Sequence, residues 1–252
     1  MIQRGWGAVL ALMVLVGCGG EAPTASPARA RTPTPLDHAT TGTVAGTVRL
    51  DGAVPGMAEV RFGGFGECAA QHSGPVYAGD VLVKDGLVEN AFVWVKDGLG
   101  DRVFAVPEAP VEVDQTGCLY EPRIAGAQVG QTVRFVNGDQ LLHNVRGTPK
   151  ASAQWNVSLP RRGTSRDIVV ERPEVMVSVR CDLHPWMQSW LGVVDHPYFA
   201  LTGADGTYVL RDVPPGDYTV AVWHERLGIA ETRVSLAAKG SATADFTLVA
   251  KP

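Results

Sequence analysis

The sequence has little of what several function classes require. Its 252 residues hold 22 Lys and Arg against 26 Asp and Glu, a net charge of −4. That balance supplies no basic field for nucleic acid. Beyond the N-terminal segment no apolar run is long enough to span a bilayer. No stretch of the chain leading up to Cys181 shows convincing helical periodicity. A P-loop, a dinucleotide fingerprint, a Ser-His-Asp set and a carboxylate pair at acid/base spacing are all missing, so nothing argues for an enzyme. Cysteine is scarce, at four residues, so each one can be assigned individually.

What is present points to strands. Hydrophobic residues make up 45% of the chain, with 29 Gly and 17 Pro. That mix suits one or two all-β domains with many short strands and turns. Thr43–Leu50 alternates apolar and polar residues and turns at Asp51-Gly52. Ala91–Val95, Val111–Asp114, Gln128–Asn137, Ile168–Val170 and Val175–Val179 read as further strands. Tyr198–Thr202, Thr207–Leu210, Asp217–Trp223, Glu231–Leu236 and Thr243–Leu248 form a second set, with a hairpin turn at Asp205-Gly206.

The N-terminus reads as a targeting segment. Arg4 supplies the charge, and Ala8–Val16 supplies an apolar stretch too short for a mature span. The closing Leu15-Val16-Gly17-Cys18 resembles the lipobox of bacterial lipoproteins. The resemblance implies cleavage before Cys18 and a lipid on its thiol. Gly19, in place of Asp, implies no retention at the inner membrane. The expected location is the cell envelope, periplasmic or outer-membrane-associated. The alternative is an ordinary secretory signal with an incidental Cys. Residues 18–41, rich in Ala, Pro and Thr, read as a tether after a 1–17 leader.

The chemistry concentrates in Cys181-Asp-Leu-His-Pro-Trp-Met187. A thiolate donor, an imidazole and a thioether recur there at every third position. His143, in Leu141-Leu-His-Asn-Val145, offers a second imidazole. Two His, one Cys and a weak axial Met make the trigonal soft-ligand set that suits one copper ion cycling between Cu(I) and Cu(II). Met187 packing simply as a core residue is a rival reading. His196 is an alternative fourth ligand, though Pro197 after it suggests a linker position. His224 reads as structural. In an oxidising, exported setting Cys68 and Cys118 are expected to form a disulfide. The alternative pairs Cys68 with His72, four residues on, as a second metal site.

These motifs resemble the cupredoxins. Residues 108–196 are most similar to amicyanin, through the short Cys-x-x-His-x-x-Met spacing, the Pro after the His, and Gly130–Asn137 leading to His143-Asn144-Val145. The resemblance implies a Greek-key sandwich with His143, Cys181, His184 and Met187 on copper. It also implies that Asn144 pins the ligand loop, and that His184 reaches the surface through an apolar patch. Pro185 and Trp186 would then meet a redox protein partner of the envelope. Val179 stands where that family often has an aromatic residue, and the segment after Met187 is longer than in amicyanin.

Residues 198–249 resemble the carboxypeptidase regulatory-like (transthyretin-like) β-sandwich, through Thr202-x-x-Asp-Gly206 and Val213–Tyr218. That family's opening strand is found instead in Gly42–Val48. The expectation is one sandwich split into 42–107 and 197–252, with the copper domain inserted. The function expected is outer-sphere electron transfer by a membrane-anchored blue-copper protein. Copper storage or delivery, and a structural metal-binding module with zinc, are the alternatives. A dinuclear copper centre needs two bridging Cys, and only Cys181 remains for one.

Overall fold

A computed structural model describes residues 1–2 and 32–250; the leader, the lipobox and Cys18 lie outside the described residues. The described chain is all-β, with the four-residue Gly66–Ala69 as its α-helix. No helix among the described residues is long and apolar enough to cross a membrane.

One β-sandwich holds the middle of the chain. Its five-stranded sheet runs in the order Trp155–Leu159, His143–Gly147, Glu174–Arg180, Gln188–Val194, Ile124–Gln128. The facing four-stranded sheet runs Ser165–Val169, Thr132–Asn137, Val111–Thr116, Leu119–Glu121. Each sheet contains one parallel pairing, Gln188–Val194 with Ile124–Gln128 and Thr132–Asn137 with Val111–Thr116. The period-2 pattern of Thr132–Asn137 is visible in burial: Val133, Phe135 and Asn137 face inward. Val113, Val145, Leu159, Val177, Val179, Leu191 and Val193 complete that core. Each fully buried Val, Leu or Phe adds about 1.5–3 kcal/mol relative to exposure.

A second sandwich draws on both ends of the described chain. Gly42–Asp51 pairs antiparallel with Thr207–Val213, and parallel with Ser241–Thr243 and Phe246–Val249. The opposite sheet runs Phe199–Leu201, Phe92–Asp97, Gly216–His224, Gly228–Leu236. Val44, Val48, Val93, Val95, Tyr208, Leu210, Val220, Val222 and Phe246 share one core. At the Asp205-Gly206 turn, Gly206 has φ +68°, and a Cβ there would come 3.0 Å from the Val48 carbonyl oxygen. The turn therefore requires glycine.

The two sandwiches meet through a third cluster. Phe92, from the second sandwich, packs with Ile124 and Val194 of the first. Gly126 and Gly192, paired across neighbouring strands, leave the flat spot that receives its ring. A Cβ on either would stand 2.8 Å or closer to a ring atom of Phe92 or Phe199. Arg123 forks onto Glu225 at 2.5 and 2.9 Å, and Trp190 Nε1 donates to the same carboxylate at 2.9 Å. His196 donates from Nε2 to the Val95 carbonyl at 2.8 Å, and its Nδ1 accepts from the Tyr198 amide at 3.1 Å. Both of its ring nitrogens are used in this junction. Residues 54–81 leave the second sandwich and carry Cys68 into the core of the first, where it is disulfide-bonded to Cys118 with Cα atoms 5.6 Å apart.

Candidate metal centre

Asn137 sets up the first half of the centre. Its buried side chain donates to the Leu141 and Leu159 carbonyls, both at 2.8 Å, and accepts the Asp139 amide at 2.8 Å. This folds residues 138–142 into a loop that ends as His143 enters its strand. Within that loop the Asp139 carboxylate turns inward. It accepts the amides of Gly117 at 2.9 Å and Cys118 at 2.8 Å, and it lies 2.9 Å from His143 Nε2. A carboxylate only accepts, so His143 carries its proton on Nε2 and presents a lone pair from Nδ1.

The second half is the turn after Glu174–Arg180. The Met187 amide donates to the His184 carbonyl at 2.9 Å, and the Cys181 amide to the Met187 carbonyl at 3.3 Å. Asn144 clasps this turn from the neighbouring strand. Its Oδ1 accepts the Asp182 amide at 2.6 Å, and its Nδ2 donates to Asn156 at 2.6 Å and to Asp182 at 3.0 Å. Tyr120 and Gln115 both donate to the Asn144 carbonyl, at 2.8 and 3.2 Å.

The two halves bring three donors together. His143 Nδ1 lies 3.0 Å from His184 Nδ1, and Cys181 Sγ lies 3.6 Å from that same nitrogen. Ligand atoms of the three residues fall within 4.8 Å of one another, and all three are buried. Cys181 is the free cysteine among the described residues. Burial pushes the His184 imidazole down to about 4, with the neighbouring His143 adding to the effect. Burial also lowers His143, against the opposing pull of Asp139. Both shifts favour the neutral imidazoles. With its proton on Nε2, His143 accepts at Nδ1, so without a cation His184 donates from Nδ1 across the 3.0 Å contact, and a bound cation would move that proton off Nδ1. Met187 is fully buried in the same core as Cys181. His196 stands apart from this cluster, at the junction between the sandwiches.

The surroundings of His184 differ from the expected exposed edge. It is only 4% exposed. Phe65 stands edge-on to it, ring centroids 4.9 Å apart, and also abuts Trp186 at 5.3 Å. Trp186 is half-buried, donates from Nε1 to the Cys118 carbonyl at 2.9 Å and meets Phe62 edge-on at 5.2 Å. The cause is the 54–81 segment, which the disulfide draws over the ligand loop. Pro185 remains exposed, as do Leu183, Leu142 and Phe65.

Two site residues escaped the sequence reading. Asp139 sits in Asn-Gly-Asp, which reads as a turn; its four-residue spacing to His143 was the available signal. Phe65 carried none, because it reaches His184 from a loop of the other sandwich.

No family model matches the chain, and no curated protein matches it. Several solved structures show a likeness, among them three copper proteins. A copper-containing nitrite reductase (NirK) from Thermus scotoductus SA-01 is 24% identical over 38% of this chain, with a TM-score of 0.32, and the match spans 24% of that enzyme. A purple cupredoxin from Nitrosopumilus maritimus is 20% identical over 33% of this chain and 98% of its own, with a TM-score of 0.29. An amicyanin variant in its Cu(I) form is 19% identical over 42% of this chain and 99% of its own, with a TM-score of 0.31. At these values the likenesses assign neither ligands nor activity to this chain.

Proposed function

We propose that this chain is a blue-copper electron carrier of the cell envelope, in which His143, Cys181 and His184 would hold one copper ion and the Met187 thioether would be a weak fourth donor. The observation that carries the reading is the convergence of one thiol and two neutral imidazoles in a buried pocket, with Asp139 fixing the tautomer of His143. The donor chemistry fits: soft sulfur with two nitrogens suits copper, whereas zinc seldom recruits a thioether. Bound copper would supply one-electron Cu(I)/Cu(II) chemistry. The protein residues do the rest. Asp139 and Asn144 hold the ligands in one geometry, so little rearrangement accompanies electron exchange. Phe65, Phe62 and Trp186 keep water away from His184. The exposed apolar residues Pro185, Leu183 and Phe65, with Trp186 beneath them, form the contact for a transient redox partner. The lipobox ending at Cys18 supports a lipid anchor.

Copper storage or delivery is the second reading, favoured by the cover over His184. Reduction potential and self-exchange rate separate the two. A carrier shows a reversible couple and rapid exchange between oxidised and reduced protein. A store binds Cu(I) tightly and exchanges electrons slowly.

A further inference from the structure

We propose that Cys68 and Cys118, when their disulfide is reduced, form with His184 a second soft-metal position that takes Cu(I). The idea goes beyond the carrier reading and does not depend on it. Its basis is geometric: ligand atoms of Cys68, Cys118 and His184 lie within 4.8 Å of one another, and all three residues are buried, as is also true of His143, Cys181 and His184. The disulfide is therefore not a remote staple. It borders the metal centre and shares a ligand residue with it.

The bonded sulfurs carry no thiolate charge and are poor ligands. Reduction by a dithiol changes that. The donor's two thiols give up two electrons and two protons and become a disulfide, while Cys68 and Cys118 become two thiols. Cu(I) then displaces the two thiol protons and meets two thiolates and a neutral imidazole. That trigonal, sulfur-rich set suits Cu(I). No electron moves in the binding step itself.

The pair stays in place without its covalent bond, because each sulfur sits on separately anchored backbone. The Gly117 and Cys118 amides donate to Asp139, and the Cys118 carbonyl accepts from Trp186. His72 Nε2 lies 2.8 Å from the Gly117 carbonyl. Cys68 lies in the short helix Gly66–Ala69 and is fully buried in the core of the copper sandwich. His72, the partner that sequence proximity suggests for Cys68, is occupied by that contact with Gly117. The third donor comes instead from His184, 116 positions further along the chain.

The test uses the full chain with His143→Ala and Cys181→Ser, which removes the first ligand set. Cu(I) is titrated anaerobically against a chromophoric Cu(I) chelator, with the protein oxidised and after dithiol reduction. Far-UV circular dichroism follows the fold in each state. The proposal predicts one Cu(I) per chain in the reduced form and none held against the chelator in the oxidised form. Loss of an outer-shell partner alone costs about 10- to 100-fold in metal affinity, so adding His184→Ala should lower the reduced form's affinity by at least that. Adding Cys68→Ser should abolish binding. Equal binding in both redox states overturns the proposal, and so does an affinity indifferent to His184→Ala, which any unfolded dithiol would give. Loss of the β-sheet signal on reduction overturns it as well, since the position requires a folded chain. The blue colour of the oxidised, unmutated protein is untouched by these outcomes.

Discussion

Asp139 Oδ2 lies 2.9 Å from His143 Nε2, with both side chains fully enclosed. This single contact fixes which nitrogen of His143 faces the donor cluster. It also ties that imidazole to the Gly117-Cys118 turn, because the same carboxylate accepts both amides of that turn. If His143 holds copper as proposed, Asp139→Asn replaces the carboxylate beside it with a neutral amide. A negative charge favours the higher oxidation state, so the reduction potential should rise. Copper affinity should fall by about 10- to 100-fold. Potentiometry and a Cu(II) competition titration check both; an unchanged potential contradicts the role.

Phe65→Ala should uncover His184. The ring is 42% exposed itself, so its loss costs little stability, but it is the edge that closes over the imidazole. Outer-sphere oxidation of the reduced protein by a small hydrophilic reagent should speed up several-fold in stopped flow. An unchanged rate would show that electrons leave by another route.

Replacing both Cys68 and Cys118 by Ser opens a loop with a sequence separation of 50. The chain-entropy model values that closure at about 4 kcal/mol. Denaturant titration of the oxidised protein and of the double variant should differ by that order. The chemical midpoint should move while Asp139 still holds the 117–118 turn, so the copper spectrum should shift less than the stability does.

The second sandwich contains its own pH-sensitive group. Burial pushes His224 down to about 4, against an ordinary value near 6.5. The folded pKa is depressed, so the unfolded chain binds the proton more readily. Stability is unaffected above about pH 6.5 and is lost as pH falls towards 4, by up to roughly 3 kcal/mol. Unfolding of the metal-free protein across that window should show the loss, and His224→Gln should remove His224's share of it while the buried His143, His184 and His196 keep theirs.

Much of this was legible in the chain. The alternation of Gln128–Asn137 and of Thr43–Leu50 signals half-buried strands directly, because the side-chain period of a strand is two. The spacing inside Cys181–Met187 places its donors on one short turn, so proximity in sequence becomes proximity in space. The strand Gly42–Asp51 pairs with Thr207–Val213 far along the chain, a relationship visible through the shared turn and strand pattern. What failed was long-range. No local pattern says that residues 54–81 cross to the other sandwich, so the cover of Phe65 over His184 and the nearness of Cys68 to His184 were invisible. Asp139 looked like turn punctuation because Asn, Gly and Asp are common turn residues. Its role depends on amides of Gly117 and Cys118 that the fold alone brings beneath it.

The most direct test of the account is the visible and EPR spectrum of the Cu(II)-loaded protein, with Cys181→Ser as its control. A thiolate ligand in a trigonal site predicts an intense charge-transfer band in the red region and a narrow copper hyperfine splitting, both lost in Cys181→Ser. Copper bound without that band, or a band that survives Cys181→Ser, would contradict the assignment of His143, Cys181 and His184 as a blue-copper centre.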